Sequence, residues 1–274
     1  MIKRFLSPLV KNSLKLFPAV LINGARQVGK STLVQQLVKE GVVKEYVSLD
    51  DLNFLEIAQN NPKGFIEQFK ESVAIDEIQR APNLLPALKK YIDENRIPGR
   101  FLLTGSANLL SVPGVSESLA GRLDIMTLEG LSVGEVIGQS KPSSFIEDLF
   151  SGACFSELAS KWKEELQNKP YIKKEQIIEY IYYGGFPEVL LKKNPYFRTR
   201  WFSSYHTAYI ERDVRDLSRI LDIVSFGKLF KLLGLQTGNL VNYKTLGIES
   251  KLDQRTVSRY IEILEITFQI KEPF

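Results

Sequence analysis

Cysteine and histidine are almost missing from this sequence, with Cys154 and His206 each alone among 274 residues. A single cysteine excludes an intramolecular disulfide and makes a reducing, cytoplasmic compartment the expectation. With one of each, no Cys/His cluster exists to hold zinc. A catalytic Cys–His pair is the weaker reading beside a buried thiol and a structural histidine. No apolar run approaches the length of about 18 residues that a membrane helix needs. Near the N-terminus, Lys3, Lys11 and Lys15 interrupt the apolar residues. That excludes a secretory signal and leaves an amphipathic helix over about 7–16. Charge of one sign is not in excess either: 36 Lys and Arg against 32 Asp and Glu leave a formal net charge of +4. This balance permits contact with nucleic acid without pointing to it.

What is present is an ordinary globular composition, 44% hydrophobic and 25% charged, over a length that suits about two domains. The most informative stretch is "NGARQVGKST" at 23–32. It fits G-x-x-x-x-G-K-[ST], with Gly24, Gly29, Lys30 and Ser31 in the defining places. The apolar run "PAVLI" precedes it, and "KSTLVQQLVKE" follows with helical spacing of Leu33, Leu37 and Val38, which is the strand–loop–helix context the motif requires. Further short strands are predicted at "EYVSLDD", "ESVAIDEIQ", "GRFLLTGSAN" and "LDIMTLEGLS", alternating with helices. Five such strands predict an α/β fold with a parallel five-stranded sheet of the P-loop NTPase type, its ligand along one rim. The expected division is a core over 1–140, a helical lid region over 141–222 and a winged-helix or helix-turn-helix domain over 223–274.

The loop assigns the phosphate chemistry. Backbone N–H groups from Gly24, Ala25, Arg26, Gln27, Val28 and Gly29 would cradle phosphate oxygens beside the N-terminal end of the next helix, where Thr32 completes the motif. Lys30 would bridge the terminal phosphates and Ser31 would ligate magnesium. Asp76 ends an apolar strand and suits a carboxylate that holds hydrated magnesium opposite Ser31, and Glu77 beside it can orient or deprotonate water. Thr104 and Ser106 end another strand, and either can sense the terminal phosphate, hold the attacking water or simply cap the next turn. Arg122 is the candidate catalytic finger, offered to a neighbouring subunit in a homo-oligomer, with Arg80 its rival. Two P-loop classes lack their signatures. No N-K-x-D element reads guanine, since "NKPY" at 168–171 has no acid, and "LSVGE" at 131–135 follows the acidic strand where a transporter signature would precede it.

Taken together, "LINGARQVGKSTLVQQL", "YVSLDD", "VAIDEIQRAPNLLPALK", "FLLTGSANLL", "SLAGR", "LEGLSVGE", "GGFPEVL" and "YIERDV" resemble the AAA-type regulatory ATPases. The resemblance is closer to one prokaryotic branch, the AAA_14 / DUF4143 ATP-binding proteins. It implies that Gly24 to Thr32 bind ATP, that Asp76 and Glu77 serve Mg2+ and hydrolysis, and that Gly185 and Pro187 of "GGFP" belong to a lid touching the nucleotide. Family members usually continue into a domain resembling a restriction-endonuclease fold, whereas this sequence stops at Phe274, so no nuclease is expected.

Near the end, Asp253 is the expected N-cap of a helix with Val257, Ile261 and Leu264 on one face. Lys251, Arg255 and Arg259 share another face, as in a helix that reads DNA, and "ITFQI" is the candidate wing strand. A structural or protein-binding role competes with DNA there. The function expected is a magnesium-dependent ATPase whose nucleotide state controls the lid and winged-helix module. The alternative is a nucleotide-binding interaction or DNA-binding module with negligible hydrolysis.

Overall fold

The structure, a computed structural model, describes residues 2–106, 121–139, 145–168, 172–209 and 222–271. Parts of three of the quoted motifs, at 107–110, 118–120 and 210–214, lie outside the described residues.

Five short apolar runs become five parallel strands: β1 (Ala19–Asn23), β2 (Glu45–Ser48), β3 (Val73–Asp76), β4 (Phe101–Thr104) and β5 (Leu123–Thr127). Their order across the sheet is β2-β3-β4-β1-β5. The apolar runs of β1, β3 and β4 are unbroken because these central strands are covered on both faces, and every residue of the three is buried. Ala19 pairs with Phe101 on one side of β1 and with Leu123 on the other. Because all strands run the same way, their C-terminal ends share one rim, and β4 stands between the strand carrying the phosphate loop and the strand carrying the acidic pair.

The helices follow the sequence pattern with small shifts. Helix α1 (Leu6–Ser13) is shorter than expected because the chain tightens at Leu14–Leu16 ahead of Pro18, which disfavours helix at Phe17. Val10 and Leu14 then pack with Val20, Ile22, Leu33 and Leu37 in the core beside β1. Helix α2 (Lys30–Lys39) starts from the phosphate loop. The break expected at Pro62 separates α3 (Leu52–Asn60) from α4 (Pro62–Glu67), with Asn61 capping the second through Gly64 N–H at 3.0 Å. Helix α5 (Leu84–Glu94) precedes β4, and the short α6 (Val133–Val136) follows β5. Beyond it come α7 (Phe145–Leu149), α8 (Phe155–Asn168), α9 (Lys174–Tyr183), α10 (Pro187–Leu191) and α11 (Pro195–Ala208). Cys154, expected as a buried thiol, is exposed just ahead of α8.

The last part of the described chain holds α12 (Ile223–Leu235), α13 (Tyr243–Ser250) and α14 (Gln254–Ile266). Phe226, Leu229, Leu246, Val257, Ile261 and Leu264 form its core. The candidate wing strand is a correction. Ile266 stays helical, and the chain then turns at Phe268 with φ 59°. Thr267 is buried and donates to the Ile263 carbonyl at 2.7 Å, so the helix satisfies backbone groups that a lone strand would leave unpaired.

By its internal contacts the chain divides into two compact units, one of residues 1–105 with 117–191 and one of residues 106–116 with 192–274. Helices α7 to α10 thus fall in the first unit with the sheet, while α11 falls in the second. No helix among the described residues is long and apolar enough to cross a membrane.

Candidate functional site

The loop at the end of β1 earns its glycines. Gly24 has φ 138°, and a Cβ there would stand 2.3 Å from the Leu128 carbonyl oxygen. Gly29 has φ 99°, and Gln27 between them adopts φ 61°. Left-handed residues alternating with ordinary ones turn successive N–H groups to one side, which makes an anion-binding concavity at the start of α2. Lys30 is 5% exposed and donates to the carbonyls of Gly24 and Ala25, each at 2.8 Å. Its ammonium is therefore held against the loop that it closes. Ser31 follows it in the first turn of α2, half-buried, with Thr32 exposed.

Asp76 ends β3, 3% exposed and supplied with two hydroxyl donors. Tyr46 Oη donates to its Oδ2 at 2.7 Å, and Thr104 Oγ1 donates to its Oδ1. Burial, followed by the Asp76 hydrogen bond, pushes the Tyr46 hydroxyl up to about 12, so it stays a donor at ordinary pH. Thr104 in turn accepts the Glu77 N–H at 3.2 Å. A threonine hydroxyl has one proton, and here it is spent on Asp76. In this arrangement Thr104 positions both acids, and it would have to change partners before donating to a phosphate.

Glu77 has φ 59° and ψ 44°, left-handed for a residue with a side chain. Such a conformation costs on the order of 1 kcal/mol and persists where surrounding contacts enforce it. Those contacts are the Thr104 bond to its N–H and a hydrogen bond from Gln79 Nε2 to its carboxylate. Ser106 lies two residues beyond β4 and is buried. Arg80 pairs with Asp50 at 2.6 Å.

Arg122 does not join this group. It precedes β5, its backbone carbonyl accepts from the Ala19 N–H at the N-terminal end of β1, and its side chain pairs with Asp93. The phosphate loop leaves the other end of β1, about 16 Å away along five strand residues. Within one chain Arg122 therefore serves the opposite rim.

Three further features complete the surroundings of the loop; Gly185 and Pro187 were named through the family resemblance, and Arg4 was not. Arg4, 9% exposed, donates to the Val28 carbonyl of the phosphate loop at 2.7 Å and to the Glu129 carbonyl at 2.6 Å. Its Nε pairs with Glu135 at 3.1 Å, and that carboxylate also accepts from the N–H groups of Phe5 and Ser132. The only local trace is the Ser132–Glu135 capping box, which marks the start of α6 and says nothing of Arg4. Second, Gly185 of "GGFP" packs backbone to backbone on 130–131. Its carbonyl accepts from Leu131 N–H at 2.6 Å, and a Cβ on Gly185 would meet the Leu131 oxygen at 2.7 Å. Tyr180 of α9 donates to the same Leu131 carbonyl at 2.7 Å. Third, a largely apolar cavity of about 280 Å³ lies beside Gly29 and Thr32, bounded also by Gln36, Arg4, Leu131 and Pro187. Pro187, the first residue of α10, comes within 3.9 Å of where a Gly29 Cβ would stand. Lys251, Arg255 and Arg259 are all exposed on the second unit.

Comparison with known proteins agrees with this architecture. Residues 16–137 match the AAA_14 family model, described as an AAA domain. Residues 174–273 match a domain of unknown function designated DUF8612, which is not the DUF4143 named in the sequence resemblance. Two curated relatives, uncharacterized proteins Rv2008c of Mycobacterium tuberculosis and Mb2031c of Mycobacterium bovis, are each 24% identical over 263 residues. That alignment takes in 96% of this chain but 51% of theirs, so the chain spans about half the length of these relatives. Among solved structures, the Walker-type ATPase PABY2304 of Pyrococcus abyssi superposes with a TM-score of 0.54 at 14% identity, over 97% of this chain and 89% of that one. At this identity the likeness is one of fold.

Proposed function

We propose that this chain, whose residues 16–137 match the AAA_14 family model, is an AAA-type P-loop ATPase that binds ATP with magnesium and hydrolyses it to ADP and phosphate. The observation carrying this reading is the convergence on one rim of the Lys30 loop and the Asp76–Thr104–Glu77 network, with β4 between the two strands that bear them. Adjacent strands lie about 4.8 Å apart, which puts the loop and the acids roughly 10 Å from each other, a span for a terminal phosphate.

The residues present suit a hard divalent ion. Among the described residues no group of three or more His, Cys, Asp or Glu gathers that could hold a metal. Ser31 and Asp76 would hold magnesium with phosphate and water filling the other places, and the ion when bound neutralises charge on the terminal phosphates. Tyr46 and Thr104 fix the Asp76 carboxylate for that task. The loop N–H groups and Lys30 bind the phosphate oxygens and withdraw charge as the bond to the leaving ADP breaks. Glu77 orients water for attack on the terminal phosphorus and takes its proton. The cavity beside Gly29 and Thr32, bounded by Leu131 and Pro187, suits the base and ribose. Occupancy would reach α9 and α10 through Gly185 and Tyr180, which hold Leu131.

One observation favours the second reading, a nucleotide-binding module with negligible hydrolysis: the Gln79 amide already engages the Glu77 carboxylate. Magnesium-dependent phosphate release separates the two. The wild-type chain is expected to turn over, and Glu77→Gln to bind ATP and magnesium normally while releasing phosphate at least 100-fold more slowly, the scale of a lost general base. Full activity in Glu77→Gln sinks the role of Glu77, and tight binding without turnover in the wild type establishes the second reading.

A further inference from the structure

The second unit carries a surface that the nucleotide site does not use. Helix α13 ends in a turn at Lys251, which adopts φ 60°, and α14 begins from Asp253, whose carboxylate accepts the Thr256 N–H at 3.0 Å. Gly247 makes this corner tight: a Cβ there would lie 2.8 Å from the Leu252 carbonyl, and the Leu252 N–H donates to the Gly247 carbonyl at 2.9 Å. The result is a helix–turn–helix in which α14, about 20 Å long, is the second helix.

The two sides of α14 differ sharply in chemistry. Val257, Tyr260, Ile261, Ile263 and Leu264 are buried in the core with α12 and α13. The exposed stripe of its first two turns is Gln254, Arg255, Ser258 and Arg259, with no apolar and no acidic residue among them. The Arg259 guanidinium rests over the Tyr260 ring at 5.8 Å, which braces it on the outer face. Lys244 and Lys251 flank the stripe across a cleft of about 370 Å³ at the α13–α14 corner.

We propose that this helix–turn–helix binds duplex DNA, with α14 in the major groove. Arginine reads guanine through two parallel hydrogen bonds and glutamine reads adenine, while Lys244 and Lys251 meet the phosphates on either side. A protein partner would call for a buried-type apolar anchor; the stripe holds none, Ile248 of α13 being, among the described residues, the one strongly exposed apolar side chain at the adjoining cleft. Groove-reading groups occupy the N-terminal half of α14, where second helices of this motif touch base edges.

The test uses the full chain without nucleotide, so its outcome is independent of the ATPase reading. Anisotropy of a labelled duplex of about 30 bp, from a random-sequence pool, is followed between about 50 and 200 mM salt. The wild type and the control Lys228→Ala should bind alike, with affinity falling steeply as salt rises. Arg255→Ala with Arg259→Ala should bind at least 10-fold more weakly and relax sequence preference, whereas Lys244→Ala with Lys251→Ala should weaken binding to all sequences alike and flatten the log–log salt slope by about two. Arg255→Lys with Arg259→Lys preserves charge and guards against misfolding; it should keep the salt slope but lose the preference that the wild type shows among individual duplexes drawn from the pool. No duplex binding at low salt, binding to single strands alone, or equal affinity in the double arginine-to-alanine variant overturns the proposal. A changed oligomeric state in that variant without a change in duplex affinity overturns it in favour of a protein contact.

Discussion

Replacing Arg4 with methionine keeps most of the apolar stem and removes one guanidinium that joins three parts of the first unit. The lost contacts are the Val28 carbonyl at 2.7 Å, the Glu129 carbonyl at 2.6 Å and the Glu135 carboxylate at 3.1 Å. Removing one partner of a buried ion pair costs about 3–5 kcal/mol, because the other charge is left behind. Glu135 keeps the N–H groups of Phe5 and Ser132, at 2.6 and 2.8 Å, so the lower end applies, about 3 kcal/mol. For a unit of this size that is a fall in Tm of roughly 6–12 °C. The phosphate loop should loosen as well, since its Val28 carbonyl loses the buried donor. ADP affinity, read by calorimetry at a temperature where the variant is folded, should drop about 10-fold. Arg4→Lys should recover little of either, because one ammonium cannot reproduce a fork of three bonds in different directions. Arg4→Met combined with Glu135→Gln should regain part of the Tm and none of the nucleotide affinity. A Tm change under 2 °C with unaltered ADP affinity in Arg4→Met would refute the argument that Arg4 braces the loop.

Two further perturbations test the loop and the acids separately. Gly24→Ala places a methyl 2.3 Å from the Leu128 oxygen at φ 138°, so the loop must shift. Calorimetric nucleotide affinity should fall at least 10-fold, the effect of about 1.4 kcal/mol, and unchanged affinity would show that the observed loop path is not the binding one. Tyr46→Phe removes the 2.7 Å bond to Asp76, which should lower Tm by about 2–4 °C near neutral pH, the effect of roughly 1 kcal/mol. The Tyr46 hydroxyl is raised to about 12 in the folded protein. Its stabilisation is therefore fully present below the ordinary tyrosine value near 10 and lost as pH climbs through the raised value. Melting curves of the two proteins should converge across that interval, and a constant difference up to pH 12 would show that Tyr46 does not titrate as a donor to Asp76.

The phosphate loop was legible because its signal is local. Positions 24, 29, 30 and 31 carry residue types that one tight turn needs, and the flanking apolar run and helical spacing supply its context. The three central strands were legible for a related reason: each is a short unbroken apolar run, as burial on both faces requires, while the edge strands β2 and β5 mix apolar with polar residues. The Asp253 cap could be read from its neighbours alone and is present. The wing strand could not, since "ITFQI" suits a strand by composition while contacts made by Thr267 keep the helix going to Ile266.

Sequence by itself determined the kind of chemistry this protein can hold, because a phosphate cradle is made of backbone N–H groups and depends on which residues tolerate left-handed turns. It also determined that Asp76 ends a strand with Glu77 directly after it. Only the tertiary structure decided what surrounds them. The order β3-β4-β1 brings Thr104 to both acids, and strand register brings Tyr46 diagonally to Asp76, since Tyr46 sits opposite Ala74. The joining of Arg4 to Val28 and Glu135 likewise required the folded chain, because residues 131 positions apart leave no periodic trace of their meeting. Arg122 could have been placed from the sequence: it directly precedes the fifth predicted strand, and in a parallel sheet that start lies at the rim away from the phosphates, as the sheet shows.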